Sequence, residues 1–207
     1  EWRNAIHPLL LLSFRELNKE KLVVPLDIQL NSKDRILLIS GPNAGGKSVC
    51  LQTVGLLQYM LQSGFLVPAD DSSVFGIFEQ LFLDMGDEQS IEDDLSTYSS
   101  HLINMKIFSK NANENSLILM DEFGSGTEPT LGAAISESIL DQLNNQGVYG
   151  LITTHYTNLK HFASANEGLI NGAMLYDTGL MKPLFKLVIG RPGSSFAFEI
   201  ARKIGLS

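Results

Sequence analysis

One segment constrains this chain more than any other: Gly41-Pro42-Asn43-Ala44-Gly45-Gly46-Lys47-Ser48. Two glycines with four residues between them, followed by Lys-Ser, fit a loop that cradles phosphates. Glycines let the backbone turn tightly and approach an anion with no Cβ in the way. Successive N–H groups form a concave nest for phosphate oxygens. The following helix aims its positive end at the same anion. Lys47 adds a point charge for β- and γ-phosphates, and the Ser48 hydroxyl stands where Mg²⁺ needs a ligand. The flanks fit as well. Residues 35–40 are nearly continuous in apolar side chains, as in a strand buried on both faces. Val49, Leu51, Val54, Leu57, Met60 and Leu61 then recur at helical spacing. A chance glycine-rich turn would lack both flanks. Residues 41–49 are therefore expected to bind ATP or a similar nucleoside triphosphate with Mg²⁺.

The same grammar repeats downstream. The spacing predicts short strands over 22–25 and 28–30, with a turn at 31–34. A loop is expected over 68–76, a strand over 77–85, a polar acidic stretch over 86–94 and a helix over 95–110. A buried strand at 117–120, a loop at 124–129, a helix over 131–144 and another buried strand at 149–154 follow. Strands at 173–177 and 183–189, a break at 190–193 and a closing helix over 195–204 complete the chain. Strand–helix alternation implies an α/β fold with a mainly parallel sheet and helices on both faces. At 207 residues the chain suits one domain. Its expected parts are an N-terminal β portion (1–35), a core (36–160) and C-terminal strands and helix (161–207).

Two strand ends carry candidate chemistry. Leu117-Ile118-Leu119-Met120-Asp121-Glu122 is an apolar strand ending in two acids. Parallel sheets place ligands at the carboxyl ends of their strands. Asp121 is thus a candidate Mg²⁺ ligand, directly or through water. Neighbouring strand residues face opposite sides, so Glu122 takes a different role: orienting or deprotonating the attacking water. His155, closing the third buried strand, is a candidate to reach the γ-phosphate or that water. The bland alternatives are two surface acids and a packing histidine.

Composition narrows the function classes. Hydrophobic residues make up 44%, charged residues 18%, and the formal net charge is −8. Such an acidic chain is a poor candidate for gripping a nucleic acid backbone by itself. The single cysteine, Cys50, allows no internal disulfide and no cysteine-built zinc site, which fits the cytoplasm. The four-leucine run from Leu9 to Leu12 is far shorter than the roughly 20 residues of a membrane helix. No signal peptide is visible, and no membrane partner is expected. An opening at Glu1 suggests a piece of a longer protein.

Together these segments resemble the ATPase domain of the MutS family, within the ABC class of P-loop ATPases. The loop at 41–48 looks like that family's G-P-N-x-G-G-K-[ST]. Asp121-Glu122-Phe123-Gly124-Ser125-Gly126-Thr127 is similar to its D-E-[LIF]-G-x-G-T stretch. Thr153-Thr154-His155-Tyr156 matches its switch-histidine motif, and His7-Pro8 resembles an upstream His-Pro. Gly86-Asp87-Glu88-Gln89-Ser90-Ile91, Leu95-Ser96-Thr97-Tyr98-Ser99-Ser100-His101 and the tail from Ile189 to Ala201 resemble the second bacterial branch. That branch is linked to suppressing recombination and to ribosome rescue, and many members end in a small Smr-type nuclease domain.

The resemblance implies a P-loop core with a peripheral antiparallel β portion. It implies ATP hydrolysis in DNA repair or recombination control, with ATP gating a homodimer. Two such domains would pair head to tail, each lending Ser96 and Thr97 to the partner's γ-phosphate. The adenine would pack near Leu22, Val23 and Val24, with His7 and Tyr156 as further contributors. DNA, or a ribosome, would be contacted by parts of the parent protein absent here, and the nuclease would lie there too. Two rivals remain: a nucleotide-gated dimerisation module with negligible hydrolysis, and a transporter-type ABC ATPase. The transporter reading lacks its Leu-Ser-Gly-Gly-Gln signature.

Overall fold

The structure, a computed structural model, describes residues 1–17, 22–85, 94–126 and 128–193, without the side chains of Asn43 and residues 94–98. In chain order, the first elements are β1 (Trp2–Ala5), α1 (Pro8–Glu16), β2 (Leu26–Ile28) and β3 (Asp34–Ser40). Next come α2 (Lys47–Gln62), β4 (Gln80–Asp84), α3 (Asp94–Asn111) and β5 (Ser116–Met120). The last are α4 (Pro129–Asn145), β6 (Tyr149–Thr153), α5 (Thr157–Ala165), β7 (Gly168–Asp177) and β8 (Lys182–Ile189).

Six strands form the main sheet in the order β4-β5-β6-β3-β7-β8. The first five run parallel. β8 returns antiparallel along β7. β1 and β2 form a separate antiparallel pair. The expected α/β architecture with a mainly parallel sheet is present.

Alternating strand residues feed two cores. On one face Ile36, Leu38, Met120 and Ile152 meet Met105 and Phe108 of α3, Leu140 and Leu143 of α4 and Leu159 of α5. On the other face Leu37, Ile39, Leu119 and Leu151 meet Leu51, Val54 and Leu57 of α2, with Trp2 and Ile28 behind. Because both faces are covered, the central strands read as unbroken apolar runs.

Several sequence expectations shift. Residues 22–25 form no strand: Leu22 is 91% exposed, and Pro25 has no N–H to give a ladder. Pairing with β1 begins at Leu26 and ends at Ile28, rather than covering 28–30. The strand expected over 77–85 is only Gln80–Asp84, the part that reaches β5. α1 was not expected; His7 caps it, its Nδ1 accepting from the Leu10 N–H at 3.3 Å, and Pro8 occupies the first turn. α5 was not expected either. β7 starts at Gly168 instead of 173, its first half pairing with β3. The acidic stretch at 86–93, Thr127 and the closing helix over 195–204 lie outside the described residues.

One buried polar cluster pins α3 to the sheet edge. Asp84, 6% exposed, ends β4. His101 Nδ1 lies 2.7 Å from its Oδ2, and Asn104 Nδ2 donates to its Oδ1 at 2.9 Å. Its backbone carbonyl accepts the Asp121 N–H at 2.9 Å. Replacing Asp84 by alanine leaves both side-chain partners in a poorly hydrated site. A destabilisation of about 3 kcal/mol is expected in thermal or denaturant unfolding. Asp84→Asn, which keeps the shape and one acceptor, should lose less; equal stability of the parent and the alanine variant would refute the pin.

Candidate functional site

β3 ends at Ser40, and the chain turns through Gly41 at φ +145°. A Cβ there would lie 3.1 Å from the Met174 carbonyl oxygen on β7. A single 3-10 turn follows over Asn43–Gly45, closed by the Gly45 N–H on the Pro42 carbonyl at 2.9 Å. Gly46 takes φ +93° and caps α2. This left-handed cap aims the N-terminus of a 16-residue helix into the loop's concavity.

Lys47, the first residue of that helix, is 3% exposed. Its Nζ donates to the carbonyls of Gly41 at 3.0 Å and Pro42 at 3.1 Å. Burial lowers its pKa, while Asp121 and Glu122 act in the opposite direction. A buried ammonium that, among the described residues, hydrogen-bonds to neutral carbonyls is poised to accept an anionic partner. Ser48 and Val49 are exposed beside it. Cys50 points away into the core, where burial pushes its thiol up to about 12; it is a packing residue.

The strand order assembles the rest. β6 lies between β3 and β5, so its carboxyl end faces both the loop and the two acids. Asp121 is half-buried and Glu122 exposed. Glu122 has φ +48°, a left-handed backbone that turns it out of the strand direction. The Phe123 N–H donates to the Thr153 carbonyl at 2.8 Å, and the Thr154 N–H to the Ile39 carbonyl at 3.1 Å. These bonds tie the ends of β5, β6 and β3 together. His155 follows just beyond β6 and is exposed. Desolvation lowers its pKa, helped by the Lys47 charge and opposed by Glu122 and Asp121. Asp121 and Glu122 thus both act electrostatically on Lys47 and on His155.

Other expected contributors stand differently. Val23 and Val24 lie in irregular backbone before β2, with Val24 40% exposed. Tyr156 packs against the core, and its hydroxyl donates to the Gly124 carbonyl at 2.9 Å. Gly124, at φ +89°, has no room for a Cβ, which would meet the Tyr156 ring at 2.7 Å. Tyr156 therefore holds the 124–126 turn through its hydroxyl. Ser96 and Thr97 fall in the first turn of α3; their side chains lie outside the described residues.

Three residues stand at the site in positions that the sequence reading did not assign them. Phe185 of β8 has φ +52° and is 50% exposed. Its ring comes within 3.0 Å of where a Gly46 Cβ would stand, placing an open aromatic face at the loop's rim. Gly193 packs on the loop's root, its N–H donating to Ser40 Oγ at 2.8 Å and its carbonyl accepting from Lys160 Nζ at 3.2 Å. The third is Thr153, fully buried between the two acids and the loop strand. Phe185 and Gly193 gave no linear signal, because strand return and chain packing bring them to the loop.

Among the described residues no helix is long and apolar enough to cross a membrane. The family model of MutS domain V matches residues 37–207. Endonuclease MutS2 of Caldanaerobacter subterraneus subsp. tengcongensis is 46% identical over 99% of this chain and 25% of its own length. The proteins of the same name from Shouchella clausii and Alkaliphilus oremlandii are 47% and 48% identical, each over 99% of this chain and 25% of their own length. The chain thus spans about a quarter of the relatives it matches. With its phosphate-type loop, paired strand-end acids and strand order, the chain belongs to the MutS family, in the MutS2 branch, and comprises domain V, the family's P-loop ATPase domain.

Proposed function

We propose that this chain binds ATP with Mg²⁺ at the loop 41–48 and hydrolyses it, and that the bound nucleotide gates pairing of two copies. The observation that carries the reading is Lys47: a buried ammonium held on loop carbonyls, within electrostatic range of Asp121, Glu122 and His155. The triphosphate would lie in the nest formed by Gly41, Pro42, Asn43, Ala44, Gly45 and Gly46, against Lys47. Ser48 and Asp121 would hold the magnesium, which when bound neutralises phosphate charge. Their hard oxygen donors suit that ion. Glu122 would orient and deprotonate the water, and neutral His155 would offer a hydrogen bond to the γ-phosphate or to that water. Phe185 supplies the aromatic face for the base that Val23 and Val24 lack.

A single site of this kind has one open side. Ser96 and Thr97 of a second copy would complete it, and the segment 124–127 would line the junction. The relatives are named endonucleases; in the parent protein, DNA or a ribosome would be engaged by regions outside this chain. Light scattering and phosphate release, each with and without ATP and Mg²⁺, test the proposal together. ATP-dependent doubling of mass with phosphate release is expected. Doubling without release would favour the gated dimerisation module, and neither response would sink both readings.

A further inference from the structure

We infer that Thr153 is a positioning residue that aims Asp121 at the magnesium; the inference rests on the nucleotide site proposed above. Thr153 is the last residue of β6 and 0% exposed. A threonine hydroxyl has one proton to give and two lone pairs. Here the proton goes to Asp121 Oδ1. A lone pair accepts the Glu122 N–H at 2.8 Å. The same N–H lies 3.2 Å from Asp121 Oδ1. One buried hydroxyl therefore closes a ring with the side chain of one acid and the backbone of the next.

Two consequences follow from that ring. Oδ1 is committed to the protein, and among the described residues no hydrogen bond uses Oδ2, so Oδ2 is the oxygen left for the metal. The carboxylate also cannot rotate freely about its broad, roughly two-fold torsion, so a metal binding it has less freedom to remove. The Glu122 backbone is left-handed at φ +48°, and the captured N–H helps keep that turn. Carboxylates that hold metals are commonly fixed by such an outer hydrogen bond, and losing it costs about 10–100-fold in metal affinity. Valine has the same shape as threonine and no hydroxyl. Serine keeps the hydroxyl and loses a methyl group.

The test measures binding of a fluorescent ATP analogue to the parent chain, Thr153→Val and Thr153→Ser across a Mg²⁺ titration and in EDTA. For T153V the half-saturating Mg²⁺ concentration should rise about 10–100-fold, with affinity in EDTA within about 3-fold of the parent. T153S should stay near the parent curve. If T153V does not fold, T153A makes the same comparison. A threonine that only satisfies its own burial would lower the unfolding temperature of T153V and leave the Mg²⁺ curve in place; that result overturns the inference. So does a serine variant that behaves like valine. A parent chain without Mg²⁺-dependent nucleotide binding overturns the nucleotide site itself, and this inference with it.

Discussion

Lys47→Ala should abolish ATP turnover and weaken nucleotide binding by at least about 100-fold, some 2.7 kcal/mol. The size follows from where the ammonium sits. It is 3% exposed, so water contributes little to its solvation. Among the described residues its hydrogen bonds go to the Gly41 and Pro42 carbonyls, which carry partial charge only. A triphosphate would supply full negative charge to a cation that is already desolvated and already in place, so little reorganisation accompanies binding. Alanine removes that cation and leaves two loop carbonyls without their donor, an effect on stability of about 1 kcal/mol. Binding and folding are thus separable: unfolding should change little while a fluorescent ATP analogue no longer saturates. Lys47→Arg should not rescue binding, because the planar guanidinium is wider than an ammonium and does not fit the buried seat between the Gly41 and Pro42 carbonyls. Affinity in the alanine variant within about 3-fold of the parent would remove Lys47, and the loop reading with it.

The parts of the fold legible from sequence share one property: local pattern and global position agree there. β3, β5 and β6 have apolar centres because both sheet faces are covered, and each ends in, or is followed at once by, a residue type that a packing role does not need. α2 follows the loop at clear helical spacing. Where the two levels part, the sequence misleads. α1 has four consecutive leucines and no buried residue, so no helical periodicity marks it. The first half of β7 reads Gly168-Leu169-Ile170-Asn171-Gly172, with breakers at three of five positions. It is nevertheless a strand, since β3 supplies its ladder and Asn171 finds the Lys160 carbonyl and Ser164 Oγ, each at 2.9 Å. The site divides the same way. Lys47, Asp121, Glu122 and His155 are legible because each ends or follows a readable strand. Thr153 acquires its partners only when β5 and β6 lie side by side, and Phe185 reaches the loop only when β8 folds back along β7.

The second large effect is on the chemical step. Glu122→Gln is expected to lower ATP turnover by about 10²–10⁴-fold, with nucleotide affinity within a few-fold of the parent. Glutamine keeps the length and shape of the side chain. It also keeps the backbone N–H that Thr153 accepts, so the ring at the end of β5 survives. What is lost is the ability to take a proton from water. Glu122 is exposed and has left the strand direction through φ +48°, which suits a group meeting water from the open side of the site. The neighbouring Asp121 has Oδ1 held by Thr153 and Oδ2 assigned to the magnesium, so it does not take over that task. Single-turnover phosphate release, compared with binding of a fluorescent ATP analogue, separates the chemical step from binding. Under the gated-pairing proposal the same variant should hold ATP longer and shift light scattering toward the paired state. Turnover above about a tenth of the parent would show that the proton goes elsewhere, and His155 would then be the group to replace.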